Sequence, residues 1–509
     1  MDGHSALYET APAYVTDQPS FLNAAAVVRV RDPKDPMAKD PLALLDRLKS
    51  VEKTLGRTEG GVRFGPRPID LDIIFHKCGT HSCDRLEVPH PRYHERGFVL
   101  APLADLLKAE PRRSTKSIHS SSGLHRGDAD AGTGVGGGLA MWADPVNAGL
   151  ATAARLWAGV GGERNVGSDS GDLRRVMPMG GYKNSPATLW SWGDRTRVMG
   201  ILNVTPDSFS DGGVLMESRM EEVNPKSFTY GGANGVDVAT VLHRARLMID
   251  SGADFLDVGG QSTRPGATRV SAEEEAGRVI PVLAALADMI SKEYDGVNNG
   301  RHSGRPFISV DTFYGSVAEA AAAAGADVIN DVSGGTIDPH MHACVAKLDR
   351  PLPYIGMHMR GDPGTMQSHE HVRYIDVIND VAGETVKNAN KAIHAGIEPW
   401  RLWTDPGLGF AKTSDGNWEL LRGLRDVREG LGGALARAPV LVGASRKGFL
   451  GAVTGRAAAG DRDVASAAAA VAAVAGGADV VRVHDVRGTV DAVRVADAVW
   501  RGRREDLLR

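Results

Sequence analysis

The sequence predicts an α/β protein whose C-terminal part, residues 194–509, is a (β/α)8 barrel. Eight short apolar runs follow one another there, each of strand length and separated from the next by a helix-like segment. Polar or ionisable residues stand at the end of each run. The strand-like runs are residues 198–203, 255–259, 307–311, 328–332, 354–358, 402–405, 440–444 and 480–484.

Helix-like segments lie between these runs and supply the crossover connections that parallel strands need. Ser271 and Glu274 form a capping box at the start of one of them. A doubly wound open sheet has the same alternation and is the alternative architecture. The main helical segments are residues 237–250, 272–291, 315–324, 375–394 and 461–475.

The composition is that of a soluble intracellular protein. The 509 residues leave room for two or three domains, and 42% hydrophobic with 24% charged residues is ordinary for a globular chain. The net charge of −4 predicts no general affinity for nucleic acid or anionic membranes. Three cysteines are too few for a disulfide scaffold, and no apolar run is long enough to span a membrane. We see no presequence pattern at the N-terminus.

Two segments precede the barrel. Residues 6–107 mix strand-like and helix-like runs and predict a separate domain. Residues 108–193 predict a linker that is partly disordered, because its first part is rich in Ser and Gly. Leu150 and Trp157 indicate a short helix within the linker that docks onto a folded neighbour.

The polar residues at the strand ends are the candidate site. A lone Asp in such a position is usually a helix N-cap, but eight strand ends carrying polar groups together predict one polar bowl. Asp311, Asn330 and Asp405 suit a flat heterocycle that has both donors and acceptors. Arg264 and Arg482 suit an anion such as phosphate, and Asn203 offers a neutral oxygen to Mg²⁺. Other residues at these strand ends are Asp207, Asp257, His358, Phe410, Lys412, Ser445, Arg446, Lys447, His484 and Asp485.

The motifs at these strand ends resemble those of dihydropteroate synthase, in order and across residues 195–505. They are NVTPDSFSDG (203–212), GGQSTRPG (259–266), SVDT (309–312), IND (329–331), DPGLGF (405–410), SRK (445–447) and RVHD (482–485). The resemblance implies condensation of 4-aminobenzoate with 7,8-dihydropterin-6-ylmethyl diphosphate, with release of diphosphate. It also implies a homodimer formed through the late helices of the barrel. An insertion-like stretch at about residues 215–235 departs from the family pattern.

Residue roles follow from the resemblance by position. The pterin is expected on Asp311, Asn330, Asp405 and Lys447. The diphosphate is expected on Arg264, Arg482, His484 and Asn203, with Mg²⁺ on Asn203. The 4-aminobenzoate pocket is expected to be shaped by Thr263, Pro265, Phe410 and Ser445. Asp207 and Phe209 are expected to belong to a mobile loop that closes over the site. The expected catalytic group is Asn203, Asp207, Lys447, Arg482 and His484.

The N-terminal domain carries a second candidate site, in the string GPRPIDLDI at residues 65–73. Asp70 and Asp72 stand two residues apart, which predicts two carboxylates on one face of a strand, an arrangement suited to Mg²⁺ that carries nucleotide phosphates. Arg57 and Arg67 are candidate phosphate partners. The strings FLN (21–23) and RGF (96–98) supply aromatic rings for stacking.

Together these features resemble 6-hydroxymethyl-7,8-dihydropterin pyrophosphokinase, an α+β ferredoxin-like domain that uses ATP. The resemblance implies Mg²⁺ on Asp70 and Asp72. It implies ATP phosphates on Arg57, Arg67 and His90, and pterin on Phe21, Asn23 and Phe98. That family begins with a strand and a Gly-Ser-Asn loop, and nothing similar precedes Leu7. We therefore expect an N-terminally truncated domain whose phosphoryl transfer is slow or lost.

Two alternatives remain at this point. The barrel could be a pterin-binding methyltransferase domain that serves a corrinoid protein. The N-terminal segment could be a non-catalytic docking module. Fusions in this order resemble plant and fungal enzymes, and the plant versions imply a mitochondrial location, with the cytoplasm as the alternative.

Overall fold

The structure is a computed structural model that describes residues 3–12, 17–58, 65–107, 144–160, 162, 166, 173–181, 187–205, 236–294 and 305–501. The chain forms two compact units, Met1–Arg175 and Val176–Arg509. Among the described residues, no helix is both long enough and apolar enough to cross a membrane.

The first unit is a small α+β assembly around a buried tyrosine. Tyr8 is fully buried and donates from its hydroxyl to Asp105 at 2.8 Å. Leu150 and Trp157 of the predicted linker helix are buried in the same apolar cluster. Its strands are Gly3–His4, Leu7–Thr10, Phe21–Asn23, Ala26–Val27, His81–Cys83 and Leu86–Val88. Its helices are Pro41–Thr54, Gly97–Leu106 and Pro145–Gly159, with short 3-10 turns at Pro36–Ala38 and Tyr93–Glu95.

The segment around Asp70 and Asp72 is not a strand, so this part of the sequence prediction is wrong. The amide of Leu71 donates to the side chain of Glu52 at 2.7 Å, and that bond takes the place of a ladder bond to a neighbouring strand. Asp70 and Asp72 are nevertheless both exposed, whereas Ile73 is buried. In the described part of the chain this segment pairs with no strand, and both aspartates are exposed to solvent.

The second unit contains a (β/α)8 barrel, which confirms the predicted fold and excludes the open sheet. The eight strands form one sheet in which seven parallel pairings connect neighbouring strands. A bridge between Thr404 and Val440 connects the sixth strand to the seventh and closes the barrel. The barrel strands, in chain order, are Arg197–Asn203, Phe255–Gly259, Phe307–Asp311, Val328–Asp331, Tyr354–Met357, Leu402–Asp405, Leu441–Val442 and Val480–Val483.

Helices surround the barrel and bury their apolar faces against it. They are Val238–Asp250, Ala272–Glu293, Gly315–Ala324, Met341–Ala346, Val377–Ala395, Ser414–Arg422, Leu424–Leu431, Gly448–Thr454, Asp463–Ala475 and Val486–Trp500. Short 3-10 turns lie at Pro399–Arg401, Gly433–Leu435 and Ala459–Arg462. The helix that follows the capping box begins with Ser271 accepting from the Glu274 amide at 3.2 Å, as the sequence predicts.

A Gly-Ala-Asp sequence recurs at the N-terminal ends of three barrel strands, at residues 252–254, 325–327 and 477–479. Each glycine has a positive φ of 96–112°, which turns the chain from a helix end into the strand at low steric cost. Each aspartate is buried and accepts from a neighbouring strand's backbone amide at 2.9 to 3.0 Å. Arginines pair with all three carboxylates, for example Arg305 with Asp327 at 3.2 Å. These buried ion pairs fix the strand register at this end.

Aromatic side chains fill the same end of the barrel. A hairpin pairs the end of the strand Leu173–Gly180 with Ala187–Ser191. From it Trp190 stacks on Trp403 of the sixth strand, with ring centroids 4.5 Å apart, and meets Phe255 edge-on at 5.7 Å. The N-terminal end is thus filled by packed aromatic rings and paired charges, and the polar strand ends of the candidate site lie at the opposite, C-terminal end.

Candidate functional site

The centre of the site is an arginine held by two buried carboxylates. Arg482, on the eighth strand, contacts Asp257 of the second strand and Asp311 of the third, each at 2.6 Å. The amide of Asn330, on the fourth strand, donates to Asp257 at 3.1 Å. Gly259 pairs with Asp311, and Asp311 pairs with Asn330, so the barrel register sets these residues side by side.

Burial raises the pKa of Asp311 to about 7. Arg482 acts to lower this pKa, whereas the neighbouring carboxylates of Asp257 and Asp331 raise it further. Asp331 faces a different group, because it accepts from the amides of Ser333 and Gly335 and from the Tyr354 hydroxyl. Asp331 therefore stabilises a turn, whereas Asp311 is one of the carboxylates that line the polar end of the barrel.

Asp405 and Lys447 form a second charged region beside Arg482. Asp405, at the end of the sixth strand, accepts from the Gly407 amide at 2.7 Å, and burial raises its pKa. Lys447 donates to the carbonyl of Leu408, and its Nζ lies 4.5 Å from the centre of the Phe410 ring. Burial lowers the pKa of Lys447 to about 8; Asp405 and Asp311 oppose this shift, and Arg482 adds to it.

Ser445 and His484 are linked across the ends of the seventh and eighth strands. The hydroxyl of Ser445 is 3.0 Å from Nδ1 of His484 and accepts from the His484 amide at 3.1 Å. Burial lowers the pKa of His484 to about 3, and nearby cations that include Arg446, Arg482 and Arg264 lower it further. A neutral imidazole among cations indicates a region of positive potential, which is suited to an anion.

The remaining predicted residues of the barrel site lie at the end of the first strand and on loops at the same end of the barrel. Asn203 is the last residue of the first strand and is half-buried beside Gly259. Thr263 is half-buried, whereas Arg264 and Pro265 are exposed. Asp207 and Phe209 lie outside the described residues.

The described residues of the barrel site offer Mg²⁺ few protein ligands. Among the described residues, no group of three or more His, Cys, Asp or Glu side chains could hold a metal ion. The amide oxygen of Asn203 can still serve as one ligand of a Mg²⁺ ion whose other ligands are water and phosphate oxygens.

The structure adds a buried acid that the strand-end pattern does not reveal. Glu275 lies on the helix Ala272–Glu293, is fully buried, and accepts from the side-chain amide of Gln261. Burial raises the pKa of Glu275 to about 8; hydrogen bonds with Thr312 and Gln261 oppose the shift. Glu275 therefore ties the loop that carries Thr263 to the end of the third strand. Its one sequence signal is its place in the first turn of a capped helix, which predicts an exposed residue.

The structure brings together part of the N-terminal candidate site. Arg57 and Arg67 contact opposite oxygens of Asp70, at 2.6 and 2.9 Å. Arg57 also contacts Glu52, a buried carboxylate on the first helix, at 2.7 Å. The side chain of Asp72 is exposed and adjacent to this cluster in sequence. The arginines and Asp70 thus form one charged group.

The other predicted residues of this unit have separate surroundings. Asn23 donates to the hydroxyl of Thr10 at 2.9 Å and shares a strand with Phe21. Phe98 lies at the start of the helix Gly97–Leu106, with the Arg96 guanidinium 5.7 Å from its ring centre. His90 accepts from the amide of Arg92 at 3.2 Å. None of these contacts links the three predicted pterin residues to Asp70.

Two family models match the chain. The model described as pterin binding enzyme matches residues 220–484. The model described as 7,8-dihydro-6-hydroxymethylpterin-pyrophosphokinase matches residues 1–108.

Relatives match almost the whole chain. A Pisum sativum protein described as a mitochondrial folate synthesis bifunctional protein is 44% identical over 97% of this chain and 83% of its own length. An Arabidopsis thaliana protein with the same description is 42% identical over 98% of this chain and 78% of its own length.

Solved structures resemble the barrel part. The Yersinia pestis dihydropteroate synthase, in a sulfonamide drug complex, is 34% identical and covers 63% of this chain and 100% of that one, with a TM-score of 0.51. The Burkholderia cenocepacia dihydropteroate synthase, complexed with 7,8-dihydropteroate, is 36% identical and covers 64% of this chain and 97% of that one, with a TM-score of 0.50.

Glu275→Gln is expected to flatten the pH dependence of stability. Burial raises the pKa of Glu275 to about 8 in the folded chain, whereas the ordinary glutamate pKa of 4.5 applies in the unfolded chain. The unfolded state therefore releases a proton that the folded state holds, and stability falls as pH rises from about 4.5 to about 8. A neutral Gln removes this loss. Relative to the natural chain, the variant should gain about 4 kcal/mol more free energy of unfolding at pH 8.5 than at pH 5.

Urea unfolding at the two pH values measures this difference. Glu274→Gln, at the adjacent exposed position, is the matched control and should leave the pH dependence unchanged. Equal behaviour of the two variants would show that Glu275 is ionised in the folded chain.

Proposed function

This chain belongs to the family of bifunctional folate synthesis proteins, and from that premise we propose how its residues carry the chemistry. The protein acts in folate biosynthesis. Its barrel is a dihydropteroate synthase, which joins 4-aminobenzoate to 7,8-dihydropterin-6-ylmethyl diphosphate and releases diphosphate. Its N-terminal part is related to the ATP-dependent pyrophosphokinase that makes the diphosphate substrate.

The observation that carries the residue assignment is the group of buried charges around Arg482. Asp311, Asn330 and Asp405 present acceptors and a donor at the mouth of the barrel, as a pterin ring requires. The high pKa of Asp311 favours a carboxyl that shares a proton with a ring nitrogen. Lys447 contributes the cation at the edge of this pterin site.

We assign the diphosphate to the positive region formed by Arg264, Arg482, His484 and Asn203. Cations fixed beside the leaving group stabilise the negative charge that grows on it as the carbon–oxygen bond breaks. Mg²⁺, when bound, would neutralise the diphosphate oxygens, with Asn203 as its protein ligand. Asp207, outside the described residues, keeps its assignment to the loop over this site.

We assign the 4-aminobenzoate pocket to Thr263, Pro265, Phe410 and Ser445. The Phe410 ring offers an aromatic wall, and Ser445, buried and bonded to His484, offers a hydroxyl. The carboxyl groups of the bowl favour the positive charge that develops on the pterin methylene carbon. The amine then attacks that carbon without a strong base, and the proton it loses leaves to solvent or to a neighbouring basic group.

The alternative of a corrinoid-serving methyltransferase has less support, because the relatives and neighbours reported above carry the names of folate synthesis proteins and dihydropteroate synthases. The formation of dihydropteroate from its two substrates by the purified chain tests the proposed activity. A folded chain that binds pterin but forms no dihydropteroate would support the methyltransferase alternative.

In the N-terminal unit, we propose that Asp70 and Asp72 bind Mg²⁺ with ATP. Arg57 and Arg67 now pair with Asp70, and phosphate oxygens could replace that carboxylate as their partners. Asp70 would then turn to the metal beside Asp72. Phe21, Asn23 and Phe98 are the proposed pterin contacts, and His90 a further phosphate contact.

We also propose that the barrel forms a homodimer through its last two long helices. Val464 on Asp463–Ala475 is 86% exposed, and Val495 and Val499 on Val486–Trp500 are 66% and 65% exposed. A run of exposed valines on two adjacent helices is typical of a protein interface. A two-fold symmetric contact would bury the same face of both copies.

A mitochondrial location is a further proposal. Its support is the description of the pea and Arabidopsis relatives as mitochondrial. Fractionation of the source cells would check it.

Lys447→Ala should lower kcat/KM for dihydropteroate formation by about 30-fold or more, because a charged group at the closed site is lost. Steady-state kinetics with both substrates measures this. Lys387→Ala, which removes an exposed lysine from the helix Val377–Ala395, is the matched control. Turnover close to that of the natural chain would remove Lys447 from the site.

Asp70→Asn combined with Asp72→Asn should weaken ATP binding about tenfold in the presence of Mg²⁺. Isothermal titration calorimetry of ATP into the purified chain measures this affinity. Asp84→Asn, at an exposed position of the same unit, should bind like the natural chain. A natural chain that shows no ATP binding would favour the docking-module alternative.

Val464→Glu combined with Val495→Glu should convert a dimer into a monomer, because charge at the interface cannot be buried without cost. Light scattering at micromolar concentration measures the molar mass. Leu55→Glu, at an exposed leucine of the first unit, is the control and should remain dimeric. A natural chain that is monomeric under these conditions would contradict the proposal.

A further inference from the structure

The loop after the sixth strand, residues 407–412, has an unusually constrained backbone. Gly407 and Gly409 have positive φ values of 69° and 78°, and Ala411, which is fully buried, has a φ of 48°. A non-glycine residue in this region is uncommon and persists only where its surroundings hold it. At Gly407 an added Cβ would stand 2.0 Å from the carbonyl oxygen of His358. The loop therefore depends on the contacts made to it.

Side chains donate hydrogen bonds to three carbonyl oxygens of this loop. Lys447 donates to the carbonyl of Leu408 from the side of the site. Lys412 donates to the carbonyl of Phe410 at 2.9 Å, and the Tyr374 hydroxyl donates to the carbonyl of Ala411 at 3.0 Å. The two lysines hold the loop on either side of Phe410, and the Phe410 ring lies under the Lys447 ammonium.

Lys412 is itself held by a buried histidine. Only 3% of Lys412 is exposed, and its Nζ is 3.0 Å from Nδ1 of His358, which is 1% exposed. Nδ1 accepts this bond, so the proton of the neutral ring is on Nε2. Burial lowers the pKa of His358 to about 4, and Lys412 lowers it further, which agrees with a neutral ring. The tautomer is thus set by the contact with Lys412.

Glu384 completes the chain of contacts on the outer helix. Its carboxylate lies 3.0 Å from Nε2 of His358 and is contacted by Arg360 as well. The Arg360 guanidinium stacks over the Tyr374 ring at 3.9 Å from its centre. The same arginine therefore contacts both Glu384 and Tyr374, the two side chains through which the loop is held. The path runs from Glu384 through His358 and Lys412 to the carbonyl of Phe410.

We propose that Lys412 is a positioning residue for 4-aminobenzoate: held by His358 and Glu384, it fixes the loop so that the Phe410 ring faces Lys447. This inference rests on the proposed function, because it assigns Phe410 to the amine substrate's pocket. Lys412 is buried behind the loop, and its described hydrogen bonds go to Phe410 and His358, so it acts through the loop rather than on substrate. Asp311 and Asn330, which we assign to the pterin, lie on other strands and do not contact it in these bonds.

Steady-state kinetics on the full chain tests this with Lys412→Met, which keeps the volume but removes the donor. We expect KM for 4-aminobenzoate to rise about tenfold, while KM for the pterin diphosphate stays within about twofold, because the hydrogen bond from Lys412 to the loop supports only the first pocket. Lys391→Met, on the exposed face of Val377–Ala395, is the matched control and should leave both values unchanged.

Two variants of His358 distinguish a positioning role of Lys412 from a general loss of packing. In His358→Asn the side-chain oxygen stands close to the place of Nδ1 and can still accept from Lys412, so KM for 4-aminobenzoate should remain near that of the natural chain. In His358→Leu this acceptor is lost, and KM should rise as in Lys412→Met. The comparison of the two His358 variants does not use Lys412→Met, so it tests the proposal even if Lys412→Met does not fold.

Three outcomes would overturn the inference. In the first, Lys412→Met raises both KM values equally. In the second, it changes neither value. In the third, His358→Asn and His358→Leu behave alike in an active, folded chain. A natural chain that forms no dihydropteroate would instead overturn the proposed function on which the inference rests.

Discussion

The polar end of this barrel depends on the mutual neutralisation of buried charges. Asp257 and Asp311 sit where water has little access, and Arg482 reaches both of them at 2.6 Å. Removing one partner of such a group leaves an uncompensated buried charge, which is strongly destabilising. Each of the three buried charges is therefore stable only while its partners are present. Together they set the geometry of the site that surrounds them.

The two ends of the barrel divide their tasks. At the N-terminal end, Trp190 and Trp403 stack in a packed aromatic cluster, and the Gly-Ala-Asp sequences fix the strand register through buried ion pairs. At the C-terminal end, burial lowers the pKa of Lys447 and His484 and raises the pKa of Asp311, and shifts of this kind are typical of a functional site.

Much of this site could be predicted from sequence, since the signals are local. An apolar run followed by Asp311 or Arg482 shows both a strand and its exit point, and parallel strands carry all such exits to one end. Glu275 and Glu384 could not be found in this way, because each lies on a helix whose buried or exposed face depends on packing. The strand predicted at Asp70 was wrong for a related reason: a ladder needs a partner, and in the described residues the Leu71 amide bonds to Glu52 instead. The roles of individual site residues stay predictions.

The most direct test of this account is a double-mutant cycle between Arg482→Met and Asp257→Asn. We assign Asp257 no contact with substrate, so its effect on dihydropteroate formation acts through its described partners, Arg482 and Asn330. Each single change should lower kcat/KM at least about tenfold, and the loss in the double variant should be clearly smaller than the product of the two single losses, as expected for coupled partners. Losses that multiply in the double variant would show that the two residues act independently, and would contradict the account.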